Sequence, residues 1–210
     1  MSQDEQFMRL ALELGSRGGH KVLPNPRVGC VLVRDGKVIA EGWHDHIGGL
    51  HAEQMAIADA ESRGVSTQGS TAFVTLEPCN HFGRTPPCTE ALLWAGIERV
   101  VIGSMDPNPT VRGNGADSLV GNGVKVITGV LESECNHQMR PFMHWCKNRR
   151  PFVILKAALD SKFDPPTKYQ DVGPTTKIKD LLAVPFKSVE GTKNLNLCIA
   201  QRLEAPYSGI

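Results

Sequence analysis

The residues that most constrain this chain are His51 and Glu53, in His51-Ala52-Glu53, Cys79, in Pro78-Cys79, and the later Cys88. They offer one imidazole, two thiols and a carboxylate. A catalytic zinc centre needs that set: three protein ligands, a fourth position open to water, and an acid/base close by. Whatever the chain folds into must bring these separate stretches to one point. A structural zinc site would instead be closed by a fourth Cys or His and would have no use for Glu53.

The pattern of elements around them predicts how this happens. Residues 6–14 place Phe7, Met8, Leu10, Ala11 and Leu14 at helical spacing. Residues 28–33 form an apolar run, then Asp35-Gly36 signals a hairpin turn into residues 37–43. Residues 51–62 are rich in Ala, Glu, Met and Ile with Gly64 as a stop, so His51 and Glu53 fall in the first turn of a helix. Residues 72–75 are a strand, 76–87 a loop, and Cys88 opens a helix ending near Gly96. A thiol at a helix N-terminus is drawn towards thiolate, the form that binds zinc. Strands at 99–102 and 124–128, a loop at 106–115, and a helical stretch at 131–146 that Pro141 should divide complete the alternation. The pattern predicts an α/β fold: a three-layer α/β/α sandwich with a mixed central sheet.

Composition narrows the function classes. A hydrophobic fraction of 40% supports a real core, and no run approaches the roughly 20 apolar residues of a membrane span. The net charge of +1 provides no broad basic field for nucleic acid. The polar start Met1-Ser2-Gln3-Asp4 is unlike a secretory signal, and six irregularly spaced cysteines suit ligands and core thiols better than disulfides. The expected compartment is the cytoplasm.

Zinc-dependent nucleobase deaminases carry H-x-E followed by P-C-x-x-C, with the glutamate moving protons. Here the second cysteine comes later, after Asn80-His81-Phe82-Gly83-Arg84-Thr85-Pro86-Pro87. With Pro24-Asn25-Pro26-Arg27-Val28-Gly29-Cys30, His51-Ala52-Glu53 and Asp106-Pro107-Asn108-Pro109, this longer insert resembles the deaminase half of the bifunctional pyrimidine deaminase/reductase of riboflavin biosynthesis. The resemblance covers roughly residues 5–156 and implies a cytidine-deaminase-like fold. It implies hydrolysis of 2,5-diamino-6-(5-phosphoribosylamino)pyrimidin-4(3H)-one at its 2-amino carbon, giving the uracil derivative and ammonia. By the same matching, His51, Cys79 and Cys88 hold Zn2+ and Glu53 is the acid/base. Asn25 and His44 face the pyrimidine, His81 and Arg84 lie near the phosphate, and Asp106 and Asn108 lie near the ribose. Arg84 offers a forked cation to phosphate, and Asn25 can donate and accept along a ring edge.

Residues 1–150 are thus expected to form the deaminase domain and 151–210 a short C-terminal extension. Phe152-Val153-Ile154-Leu155-Lys156 resembles the first strand of the family's reductase half, but residues 157–210 are too few for a dinucleotide-binding sheet and carry no G-x-G-x-x-G. Reductase activity is not expected. The expected partner is a small phosphoribosylated pyrimidine, not nucleic acid or a membrane. Related deaminases assemble, so a homo-oligomer is expected, with a separate reductase as a candidate partner. Two alternatives remain open: a deaminase of another small nucleobase or nucleotide, and a non-catalytic zinc-stabilised subunit. The insert before Cys88 argues against the first, and retention of Glu53 against the second.

Overall fold

The computed structural model describes residues 1–82, 86–108, 114–150 and 152, with the backbone of residues 154–155 and 200–201. Met1–Arg150 falls in one compact unit and Pro151–Ala205 in a second, in which strands Ile154–Leu155 and Ala200–Gln201 pair antiparallel. Most of the expected C-terminal extension lies outside the described residues.

In the first unit, apolar alternation decides the layers. Strands β1 (Gly29–Arg34), β2 (Lys37–Trp43), β3 (Thr71–Leu76), β4 (Arg99–Ser104) and β5 (Lys125–Thr128) form one sheet in the order β2-β1-β3-β4-β5. β1 pairs antiparallel with β2 and β3, whereas β3, β4 and β5 run parallel, so the sheet is mixed as the sequence predicts. Cys30, Leu32, Ala72, Val74, Val100 and Ile102 point to one face, and Val31, Val33, Phe73 and Val101 to the other. This is the two-residue period of a sheet buried on both sides.

Helices α2 (Ala52–Ser62), α3 (Cys88–Trp94) and α4 (Asn114–Gly121) cover the first face through Ala52, Ala56, Ala60, Leu92, Ala116 and Leu119. Helices α1 (Gln3–Ser16) and α5 (Glu132–Gln138) cover the second through Met8, Ala11, Leu14 and Cys135. The layers are therefore α/β/α, as expected.

Three local results refine the sequence analysis. Helix α1 begins at Gln3, because Ser2 Oγ accepts the Glu5 N–H at 3.2 Å and Glu5 returns a bond to Ser2 N–H at 2.8 Å. The stretch 131–146 divides at Met139, and Pro141 lies in the first turn of α6 (Arg140–Asn148), where its missing N–H costs nothing. Helix α4 stands where no helix was expected. Among the described residues, no helix is long and apolar enough to cross a membrane.

Candidate metal centre and active site

Helix α2 sits unusually close to the sheet, and that closeness places the site. Its stripe of Ala52, Ala56 and Ala60 presents only methyl groups to β2, and β2 answers with Gly42. A Cβ at Gly42 would collide with the Ala52 carbonyl oxygen and the Ala56 amide, and lie 2.9 Å from Ala56 Cα. The N-terminus of α2 is thereby pressed against the sheet, with His51 as its N-cap residue and Glu53 in its first turn. At the end of β3, two strands away across β1, the chain leaves the sheet through Glu77-Pro78-Cys79. The Thr89 N–H donates to the Cys79 carbonyl at 3.2 Å and Thr89 Oγ1 to Asn80 Oδ1 at 2.8 Å, tying that turn to α3. Gln54 Nε2 donates to the Pro86 carbonyl at 2.9 Å, which fixes α2 to the approach to Cys88.

The three candidate ligands converge. His51 Nδ1 is 3.3 Å from Cys88 Sγ and 3.6 Å from Cys79 Sγ, and the three donor atoms lie within 4.8 Å of one another. Tetrahedral zinc with N at about 2.0 Å and S at about 2.3 Å requires N···S separations of about 3.5 Å. The donor set and its spacing fit zinc. Cys88 donates its N–H to Cys79 Sγ at 3.4 Å. Hydrogen bonding from Cys88, with support from His51, draws the Cys79 thiol below the ordinary range. That same pairing with Cys79 and burial push Cys88 up.

Glu53 is 3% exposed. Burial, with the Cys79 sulfur nearby, raises its carboxyl to about 7, against a smaller opposing effect from His51 and a bond from Cys88. A carboxyl so poised can both take and give a proton near neutral pH. Cys30 on β1 is fully buried, and Glu53 adds to the burial that raises its thiol.

The expected substrate contacts divide into groups. His44 is buried, and its ring meets that of His51 edge-on at 5.7 Å between centroids. Its Nδ1 is 3.0 Å from the Leu50 carbonyl oxygen, which can only accept, so Nδ1 carries the proton. Burial lowers the His44 pKa, leaving the ring neutral, and Nε2 accepts from Asn25 Nδ2 at 3.2 Å. Asn25 and His44 therefore form one unit beside the ligand cluster. Asp106 and Asn108 are half-buried, and Asp106 accepts the Asn108 N–H at 2.8 Å. Burial raises the Asp106 carboxyl, and Glu77, His81 and Cys79 are its charged neighbours. His81 is exposed, whereas Arg84 lies outside the described residues. Glu77, buried at the end of an apolar strand, is not among the site residues expected from the sequence. Its signal was that isolation among apolar neighbours. The described cysteines are free: Cys30 and Cys135 are buried, and Cys146 is partly so.

The family described as the cytidine and deoxycytidylate deaminase zinc-binding region matches residues 1–104. The riboflavin biosynthesis protein RibD of Actinobacillus pleuropneumoniae is 46% identical over 156 residues, covering 74% of this chain but 41% of the relative. The chain thus spans less than half the length of that relative. The diaminohydroxyphosphoribosylamino-pyrimidine deaminase of Buchnera aphidicola is 46% identical over 145 residues, covering 69% of this chain and 97% of that protein. The crystal structure of the bifunctional deaminase/reductase from Thermotoga maritima superposes with a TM-score of 0.73 at 46% identity, covering 79% of this chain and 49% of that one. Since one such deaminase is matched over nearly its whole length, this chain belongs to the diaminohydroxyphosphoribosylaminopyrimidine deaminase family, with its zinc-binding region and cytidine-deaminase-like fold.

Proposed function

We propose that this protein hydrolyses 2,5-diamino-6-(5-phosphoribosylamino)pyrimidin-4(3H)-one to 5-amino-6-(5-phosphoribosylamino)uracil and ammonia, as a step of riboflavin biosynthesis. The observation that carries this reading is the convergence of His51 Nδ1, Cys79 Sγ and Cys88 Sγ within 4.8 Å beside the buried carboxyl of Glu53. Residues 1–150 form the catalytic domain, and residues 151–210 are an extension to it.

His51, Cys79 and Cys88 hold one Zn2+, which when bound lowers the pKa of water from about 16 towards about 7. Glu53 takes the proton of the attacking water and passes it to ring N1, the unprotonated nitrogen next to the amino-bearing carbon. It then takes the proton of the hydroxyl now on that carbon and gives it to the departing amine, which leaves as ammonia while the hydroxyl-bearing carbon becomes a carbonyl. Asn25 offers its free amide N–H and carbonyl oxygen to the pyrimidine edge, and the Nε2 lone pair of His44 fixes its orientation. Asp106 and Asn108 meet the ribose, and His81 with Arg84 serves the phosphate.

The test is ammonia release from this substrate, with cytidine and deoxycytidylate as comparators, together with metal analysis. Glu53→Gln should keep about one zinc per chain and lose about 10²–10⁴-fold in kcat, because only proton transfer is removed. Parent-like turnover by that variant would remove Glu53 from the reaction. Preference for cytidine or deoxycytidylate would overturn the substrate assignment.

A further inference from the structure

Glu77 lies at the turn from β3 to Pro78-Cys79 and is 4% exposed. A carboxylate so buried is costly unless its oxygens are hydrogen-bonded. Its Oε1 accepts the N–H groups of Gly115 at 3.1 Å and Ala116 at 3.2 Å, both in the opening turn of α4. Its Oε2 accepts the Asp106 N–H at 3.1 Å. The first N–H groups of a helix have no partner within it and carry partial positive charge, so an anion there is favourable. Gly115 lets α4 come this close, because a Cβ would strike the Pro78 carbonyl oxygen. One side chain therefore joins three places: the turn carrying Cys79, the start of α4, and Asp106. Asp106 in turn holds the Asn108 N–H. These bonds engage both Glu77 oxygens with backbone N–H groups.

We propose that Glu77 is a positioning residue that locks Asp106 and Asn108 at a fixed distance from the His51–Cys79–Cys88 cluster and so sets affinity for the sugar end of the substrate. The part about affinity rests on the deaminase reading above. Chain ordered in advance does not have to be ordered during binding, so loss of the lock raises KM more than it lowers kcat. Glu77→Gln is the selective perturbation. Its carbonyl oxygen still serves Gly115 and Ala116, but its NH2 group meets the Asp106 N–H, donor against donor.

The experiment compares parent and Glu77→Gln by amide hydrogen exchange without substrate, by zinc content, and by steady-state ammonia release. Expected are unchanged zinc, exchange at Asp106 and Asn108 faster by about tenfold or more, and KM raised about tenfold with kcat within about threefold. In an Asn108→Ala background, the same substitution should change KM by less than about threefold, because the two residues act through one segment. Parent-like exchange at Asp106, an equal fall in kcat, or independent effects in the double variant would overturn the proposal. If Glu77→Gln does not fold, Glu77→Asp keeps the charge but reaches about 1.5 Å less far. It must then show the same KM-selective loss, and a loss shared equally by kcat would refute the role. A parent protein that releases no ammonia refutes the deaminase reading instead, and the exchange comparison alone then decides whether Glu77 is the lock.

Discussion

Gly42→Ala tests whether close packing of α2 against β2 is what places His51 and Glu53. The added Cβ would lie 2.9 Å from Ala56 Cα and nearer still to the Ala52 carbonyl oxygen and Ala56 amide. Carbon atoms rest comfortably at about 3.5 Å, so α2 must move by roughly 1 Å. All three neighbours are backbone, and no side chain can rotate away. Overpacking of this kind costs about 1–3 kcal/mol, which for a unit this size lowers Tm by roughly 3–10 °C. The larger effect is on chemistry, since a misplacement of about 1 Å at reacting groups costs on the order of 10²-fold in rate. Thermal unfolding followed by ammonia-release kinetics measures both. A Gly42→Ala protein with parental Tm and parental kcat would show that α2 does not depend on this contact, and the account of how the site is placed would be wrong.

Two further substitutions probe other parts of the account. His44→Leu removes the acceptor that orients Asn25, and should raise KM about tenfold with zinc content unchanged; steady-state kinetics with an unaltered KM would take the Asn25–His44 pair out of substrate binding. Ser2→Ala breaks the capping box of α1 far from the cluster, and should cost about 0.5–1 kcal/mol in denaturant unfolding while leaving kcat/KM untouched.

Strands β1, β3 and β4 were legible in the sequence as short apolar stretches, because a sheet covered on both faces needs apolar side chains throughout. The ligand cluster was legible for a different reason. His51, Glu53, Cys79 and Cys88 are chemically unusual together, and the helix starts that carry two of the ligands could be placed from local signals. Helix α4 was hidden. Asn114–Gly121 includes Asn, Asp, Ser and two glycines, all poor helix formers, and N–H groups of its first turn are capped by Glu77 from the turn after β3. No local pattern can reveal a partner 38 residues away. The start of α1 was readable in Ser2 and Glu5 but precedes the apolar periodicity, which begins at Phe7. The pairing of Asn25 with His44 was likewise invisible, because it depends on where two loops meet.

The central claim is that His51, Cys79 and Cys88 hold one zinc ion and leave a coordination position open. X-ray absorption at the zinc edge on the purified protein measures this directly. The account predicts two sulfur neighbours at about 2.3 Å, one imidazole nitrogen at about 2.0 Å and one further light atom. Four sulfur neighbours, or a signal lacking either sulfur or imidazole, would contradict it.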